Sequence, residues 1–186
     1  MSIATVDSNG SPNTRMVLCK ELNTDEGYLT FYTNYFSIKS EELENNSKCS
    51  ALFHWDKFGL QARLKGFVKR CSASKNDEYF STRDIGSQIA AWTSNQSKEI
   101  ESLEKMGDSY QKIMDKFQIK NLEEAKGVNI PRPDFWGGYD MWIEEIELWK
   151  NQKNRFHDRI KFARKIRIKN GSIDAEKRWN SVRIQP

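Results

Sequence analysis

The chain has 186 residues, of which 37% are hydrophobic and 30% charged, enough for one sizeable domain with a buried core. No apolar run approaches bilayer length, and Met1-Ser2-Ile3 opens straight into a strand-like pattern, so neither a membrane span nor a signal peptide is expected. The 30 basic residues against 26 acidic ones leave a net charge of +4, too mild and too evenly spread for nucleic acid, which calls for a concentrated basic stripe.

Short apolar or alternating runs rich in β-formers predict strands at Ile3–Val6, Met16–Lys20, Tyr28–Thr33, Cys49–His54 and Leu60–Arg70. Turn chemistry over 7–12 and 23–27 predicts two hairpin connections. A short helical pattern over Ser37–Asn45 interrupts the strands. The middle reads as helical: Ser74–Thr82, a second helix capped by Asp84 and running through Trp92, and a longer one over Ser97–Phe117. In that third helix Ile100, Leu103, Met106, Tyr110, Ile113, Met114 and Phe117 fall on one apolar stripe. A capped single turn at 121–124 stops at Gly127. Beyond Pro131-Arg132-Pro133, strands return at Tyr139–Trp149, Arg155–Arg167 and Trp179–Ile184. The expected class is mainly β with α (α+β). A single domain over 1–186 is expected, an antiparallel barrel with helices packed outside it, a helical insertion over about 74–126 and C-terminal strands over about 139–186.

Several segments carry chemistry. In Arg155-Phe-His-Asp-Arg159, an extended backbone would send Arg155, His157 and Arg159 to one face. Two permanent cations flanking a histidine suit a planar anion, and the same pattern also suits a solvated strand face. Arg15-Met-Val-Leu-Cys-Lys20 places cations roughly 17 Å apart at the two ends of an expected strand, either for two separate anions or simply as polar ends of a buried strand. Tyr32-Thr33-Asn34 followed by Ser37-Ile38-Lys39 gathers hydroxyls and an ammonium at a helix start, where phosphate is favoured and ordinary capping is the alternative. Tyr79 and Arg83, four apart, with Ser87 beyond, supply a phenol, a guanidinium and a hydroxyl, all donors to phosphate. Gln61 and Gln96-Ser97 offer neutral contacts to a heterocycle, and Trp136-Gly-Gly-Tyr139 reads as an aromatic anchor before a tight backbone passage. Cys19, Cys49 and Cys71 lie in apolar contexts without metal-ligand spacing, so buried free thiols in a reducing, cytoplasmic compartment are expected, with no metal. A Gly-rich nucleotide loop and a catalytic serine–base pair are both missing from the sequence.

Taken in order, these segments resemble the pyridoxine/pyridoxamine 5′-phosphate oxidases. The resemblance runs from Ala4-Thr-Val-Asp7 through Arg15–Lys20, Phe31–Asn34, Ser87-Gln-Ile89, Gln96-Ser97, Phe135–Gly138, Glu147-Leu-Trp149 and Arg155–Arg159 to the closing Arg183-Ile-Gln-Pro186. It implies an FMN-binding split β-barrel, working as a homodimer with FMN at the subunit interface. It implies FMN contacts from Arg15, Met16, Val17, Leu18, Lys20, Tyr32, Thr33, Lys39, Gln61, Gln96, Ser97, Trp149 and Arg159. The substrate phosphate would fall to Lys20, Tyr79, Arg83 and Ser87, and the pyridine ring to the catalytic pair Arg155 and His157. The implied reaction oxidises pyridoxamine or pyridoxine 5′-phosphate to pyridoxal 5′-phosphate, with O2 reduced to H2O2.

Three departures stand beside the resemblance. Ile38 replaces a usual arginine beside Lys39, and Leu60 replaces another before Gln61. The chain also opens almost at its first strand, without the segment that in relatives folds over the substrate. Ile38 and the short N-terminus motivate one alternative, a catalytically weak flavin- or vitamin B6-binding protein; the other is another flavin or F420-type reductase on the same barrel.

Overall fold

The computed structural model describes residues 1–125, 127–169 and 171–186; Lys126, the expected end of the helical insertion, lies outside them. In chain order the elements are β1 (Ser2–Val6), β2 (Pro12–Met16), β3 (Glu21–Asn23), β4 (Tyr28–Asn34), α1 (Ile38–Asn45), β5 (Lys48–Trp55), β6 (Leu60–Arg70), α2 (Ala73–Ser81), α3 (Ile85–Thr93) and α4 (Leu103–Lys116). There follow β7 (Trp136–Lys150), β8 (Asp158–Ala163), β9 (Ile166–Lys169), β10 (Ser172–Ala175) and β11 (Asn180–Arg183). The chain forms two compact units, one of Met1–Phe31, Glu42–Lys69 and Tyr139–Pro186, the other of Tyr32–Glu41 and Arg70–Gly138.

The first unit is built on antiparallel sheet, in the order β11-β8-β7-β6-β5-β1-β2, with β4 pairing both β3 and β7. Among the described residues the path has two ends and does not close on itself, as a split barrel requires. The first hairpin forms because the Asp7 carboxylate accepts the N–H groups of Asn9 and Ser11 at 2.8 Å each, while Gly10 takes the left-handed conformation the turn needs (φ +85°). That hairpin pairs Ile3 with Arg15. Ile3, Leu29, Phe31, Tyr139 and Met141 are fully buried, and the Phe31 and Tyr139 rings stack at 5.7 Å. At Gly66 the sheet tolerates no side chain, since a Cβ there would lie 1.8 Å from the Trp142 carbonyl oxygen.

Two strand expectations are corrected in this unit. The strand expected over Met16–Lys20 lies earlier, as β2, and Met16 is its last residue. Beyond it Val17 N–H reaches the Met1 carbonyl and Lys20 N–H the Thr30 carbonyl, single bonds instead of a ladder, and Met16 and Leu18 are exposed. The strand expected over Arg155–Arg167 is broken twice. Residues 153–155 form a single 3-10 turn with Asn154 and Arg155 at φ +56° and +63°, a left-handed pair that cannot belong to a strand. At the second break Arg164 turns inward and is buried. Its Nε donates to the Ile143 carbonyl and its Nη2 to the Gly27 carbonyl, both at 2.8 Å, and its guanidinium lies over the Trp179 ring. Beyond that anchor β9 pairs with β10 in a separate ribbon that the sequence pattern did not reveal.

The second unit packs α2, α3 and α4 around Phe80, Ile89, Met114, Ile119, Ile130 and Trp136. Each helix begins at a side-chain cap: Ser72 accepts from Lys75 N–H, Asp84 from Ser87 N–H and Ser102 from Lys105 N–H. The last cap corrects the expected Ser97–Phe117 helix. Ser97 has φ +71°, and the helix starts only after Ser102, leaving Ile100 and Leu103 exposed while Met114 is buried. Cys49 and Cys71 are buried, and Cys19 is half-buried, a partial departure from the expected buried thiols.

Candidate functional site

In the second unit, the turn from β4 into α1 builds a polar cluster. Ser37 and Ser40 hydroxyls both donate to the Asn34 carbonyl, closing the turn so that the buried Lys39 points back along it. Its ammonium donates to Thr33 Oγ1 (3.1 Å), Ser37 Oγ (3.0 Å) and Gln96 Oε1 (2.9 Å), and Thr33 also donates to Gln96 (3.0 Å). Gln96 is thus brought to Thr33 and Lys39 from 57 positions beyond Lys39. Ser97, next to Gln96, occupies a left-handed conformation that a serine adopts at a cost of about 1–2 kcal/mol.

A second cluster of that unit stands at the junction of α2 and α3. Tyr79 stacks on Tyr32, ring centroids 3.9 Å apart. The four-residue spacing of Tyr79 and Arg83 would put them on one helix face, but Arg83 falls beyond the α2 C-cap at Thr82. Its guanidinium packs over the Trp136 ring at 4.6 Å, and its buried Nη1 has no hydrogen-bond partner among the described residues. Burial, a cost for charge, pushes the Arg83 pKa down, against the opposing pull of Tyr79 and Asp84. Ser87 hydroxyl and N–H both serve Asp84, whose carboxyl they hold below the usual aspartate range. The geometry leaves Arg83 a half-buried cation with its Nη1 donor unused among the described residues.

In the first unit, Arg15 is committed to the buried Glu42 at 3.2 Å and also donates to Thr5 Oγ1. Burial pushes Glu42 up, but hydrogen bonds from Thr5, Asn13 and Arg15, together with the Arg15 charge, outweigh it and hold the carboxyl below its usual range. Gln61 on β6 and Trp149 on β7 line one concavity of about 280 Å³, so the structure brings these two together. Another concavity, of about 730 Å³, is lined by His157, Arg159 and the C-terminal Ile184–Pro186.

Arg155 and His157 do not extend the strand of Arg159. His157 lies against the Trp149 ring, centroids 4.6 Å apart, and its Nδ1 accepts Gln152 N–H at 3.3 Å. Arg159, opposite Trp149 in the β7–β8 register, donates through Nε and Nη2 to Glu147 Oε1 (3.0 and 2.7 Å) and through Nη1 to the Gln185 carbonyl (2.9 Å). Arg63 donates to the other Glu147 oxygen at 3.1 Å. Glu42 and Glu147, one behind each of two candidate cations, were not picked out from sequence. Glu147 enters the sequence reading only through the resembling Glu147-Leu-Trp149 segment, and Glu42 does not enter it at all.

Solved structures share this architecture. PhzG from Burkholderia lata, crystallised with tetrahydrophenazine-1-carboxylic acid, superposes with a TM-score of 0.81 at 24% identity, over 100% of this chain and 81% of its own. An FMN-binding, pyridoxamine 5′-phosphate oxidase-related protein from Nostoc punctiforme gives 0.72 at 12% identity, over 100% and 86%. The fold is therefore that of the pyridoxamine 5′-phosphate oxidase-like split barrels. Residues 1–113 match the family model described as pyridoxamine 5′-phosphate oxidase, and 136–186 match the pyridoxine 5′-phosphate oxidase C-terminal dimerisation region. Pyridoxine/pyridoxamine 5′-phosphate oxidases of Cupriavidus taiwanensis and Rubrobacter xylanophilus are each 38% identical over the whole chain, which spans 78% and 76% of their lengths. The chain belongs to the pyridoxine/pyridoxamine 5′-phosphate oxidase family.

Proposed function

We propose that this chain is an FMN-dependent oxidase that converts pyridoxamine 5′-phosphate and pyridoxine 5′-phosphate to pyridoxal 5′-phosphate, O2 being reduced to H2O2. The observation that carries the reading is the buried, unpartnered Nη1 of Arg83 beside Tyr79, a donor arrangement suited to a phosphate dianion. The donor chemistry also fits the cofactor. Lys39 and Thr33, bonded to Ser37 and Gln96, would exchange those bonds for the FMN phosphate, Gln61 and Gln96 would supply amides for the ring system, and Trp149 an aromatic face. Bound FMN supplies a two-electron acceptor that O2 regenerates.

The residues of the chain bind and orient. Tyr79, Arg83, Ser87 and Lys20 hold the substrate phosphate, fixing the distance between the carbon to be oxidised and the flavin. Arg155, exposed on its left-handed turn, and His157, braced on Trp149, hold the pyridine ring. Arg159 serves the flavin side, steadied by Glu147. Arg15, Met16, Val17, Leu18, Lys20, Tyr32 and Ser97 complete the cofactor contacts. The chain works as a single functional domain and as a homodimer, through its C-terminal strands, in the cytoplasm.

The test is to load the protein with FMN, add pyridoxamine 5′-phosphate under air, and follow pyridoxal 5′-phosphate and peroxide. Formation of both is expected. Flavin bound without turnover would leave a flavin- or B6-binding protein in place of the oxidase.

A further inference from the structure

Trp136 has no part in the roles above, yet it sits under both aromatic and cationic members of the phosphate cluster. Its ring lies parallel to Tyr32 (5.3 Å, 10°) and to Tyr79 (6.2 Å, 6°), and edge-on to Phe80 (5.2 Å). Arg83 rests on its face at 4.6 Å and only at 5.6 Å from Phe80. The backbone that carries the indole is itself held. Arg132 donates through Nη1 to the Trp136 carbonyl at 2.7 Å and pairs with Asp77 of α2 at 2.6 Å, while the Trp136 backbone N–H donates to the Pro133 carbonyl at 3.0 Å. The following glycines leave no slack. A Cβ on Gly137 would meet Tyr35 Oη at 2.2 Å, and one on Gly138 would meet Tyr32 Cε1 at 2.8 Å.

From this arrangement we infer that Trp136 is the positioning residue of the phosphate site: its π face orients the Arg83 guanidinium, so that Nη1 is presented to the phosphate of the substrate. With Nη1 unpartnered among the described residues, the guanidinium needs some fixed surface to order it, and an indole face is the strongest such aromatic platform. The ring does not touch the reacting atoms. Its contribution is to phosphate recognition, and so to discrimination between phosphorylated and unphosphorylated vitamers. The inference rests on the proposed function, since it takes the phosphate to be that of a B6 vitamer.

The test is a double-mutant cycle on the FMN-loaded protein, with pyridoxamine 5′-phosphate binding measured by calorimetry and turnover measured in parallel. Trp136→Leu should weaken pyridoxamine 5′-phosphate binding roughly tenfold, the value of a partly desolvated cation–π contact. KM should rise accordingly and kcat change little. Trp136→Phe, which keeps a smaller π face, should lose about threefold or less. In an Arg83→Ala background neither change should cost anything more. Binding of unphosphorylated pyridoxamine should be the same with Trp or Leu at 136. If Trp136→Leu does not fold, Trp136→Phe closes the cycle alone. Equal losses with and without Arg83, or equal losses for pyridoxamine and its phosphate, would overturn the inference. Wild-type protein that binds pyridoxamine 5′-phosphate without turning it over would overturn the oxidase reading, and the calorimetric cycle would still decide the role of Trp136. Wild-type protein that does not bind it would overturn both.

Discussion

Replacing Glu147 by glutamine removes one charge from the centre of the Arg63–Glu147–Arg159 network and changes little else. The Glu147 side chain is only 8% exposed, against 23% for Arg159 and 47% for Arg63. The Arg63 bond, largely in water, contributes little. The two bonds from Arg159 are the ones that matter. A hydrogen bond to a charged partner is worth about 1.5–3 kcal/mol and a neutral one about 0.5–1.5, so losing the charge costs about 1 kcal/mol for each, or about 2 kcal/mol in total. In a chain of this size that lowers Tm by roughly 4–8 °C. Glu147→Leu, which strands Arg159 with no carboxylate, should cost about 3–5 kcal/mol. The assay is thermal unfolding of the flavin-free protein at one fixed concentration, followed by circular dichroism. Because Arg159 also holds the Gln185 carbonyl, proteolysis of the C-terminal tail should accelerate in the glutamine variant. A glutamine variant melting within about 1 °C of wild type would show that the network does not stabilise the fold as argued.

Four further outcomes are expected. Arg155→Ala should cut turnover strongly while flavin stays bound, and Arg159→Ala should weaken flavin retention; equal effects on flavin content, measured by absorbance after gel filtration, would contradict the separate roles. Ile38→Arg, restoring a cation at the first residue of α1 beside Lys39, should tighten FMN binding roughly tenfold in a fluorescence titration, and no change would exclude that position from the phosphate site. Gly66→Ala should abolish soluble expression, because its Cβ meets backbone and not a movable side chain. Glu42, whose folded pKa is depressed, contributes stability that is present above its unfolded pKa and is lost as pH falls through the folded one. Glu42→Gln should therefore flatten the acid side of a denaturation midpoint-versus-pH curve below the ordinary glutamate range and leave its slope near neutrality unchanged.

Alternating and periodic runs placed β1, β4, β5, β6, α2 and α3 almost to the residue, and the polar stretch ending at Asn45 placed α1. The failures share a cause. Met16–Lys20 and Arg155–Arg167 carry strand-like composition, but composition does not say whether a partner strand stands opposite, and here a buried Arg164 and the left-handed Asn154–Arg155 pair break the run. Ser97 lost its place in a helix in the same way. Of the candidate site, Thr33, Lys39 and Gln96 converge although 57 positions separate the last two, a juxtaposition that only their collinear match to the family suggested. The carboxylates behind Arg15 and Arg159 stayed hidden because any of 26 acidic residues would have served. Trp136 was legible only as an anchor, since its role depends on what lies over its face.

The stretch Arg155–Arg159 is less regular than alternation suggested, and its chemistry is divided between an exposed turn, a ring braced on Trp149 and a strand arginine tied to Glu147. What unites these groups is the proposed transfer of electrons from a phosphorylated B6 vitamer to flavin. The most direct test is to mix FMN-loaded protein with pyridoxamine 5′-phosphate without oxygen. Loss of the visible flavin absorbance is expected, then its return on admitting air, with pyridoxal 5′-phosphate and peroxide formed in equal amounts. Flavin absorbance that is unchanged by saturating pyridoxamine 5′-phosphate would contradict the account.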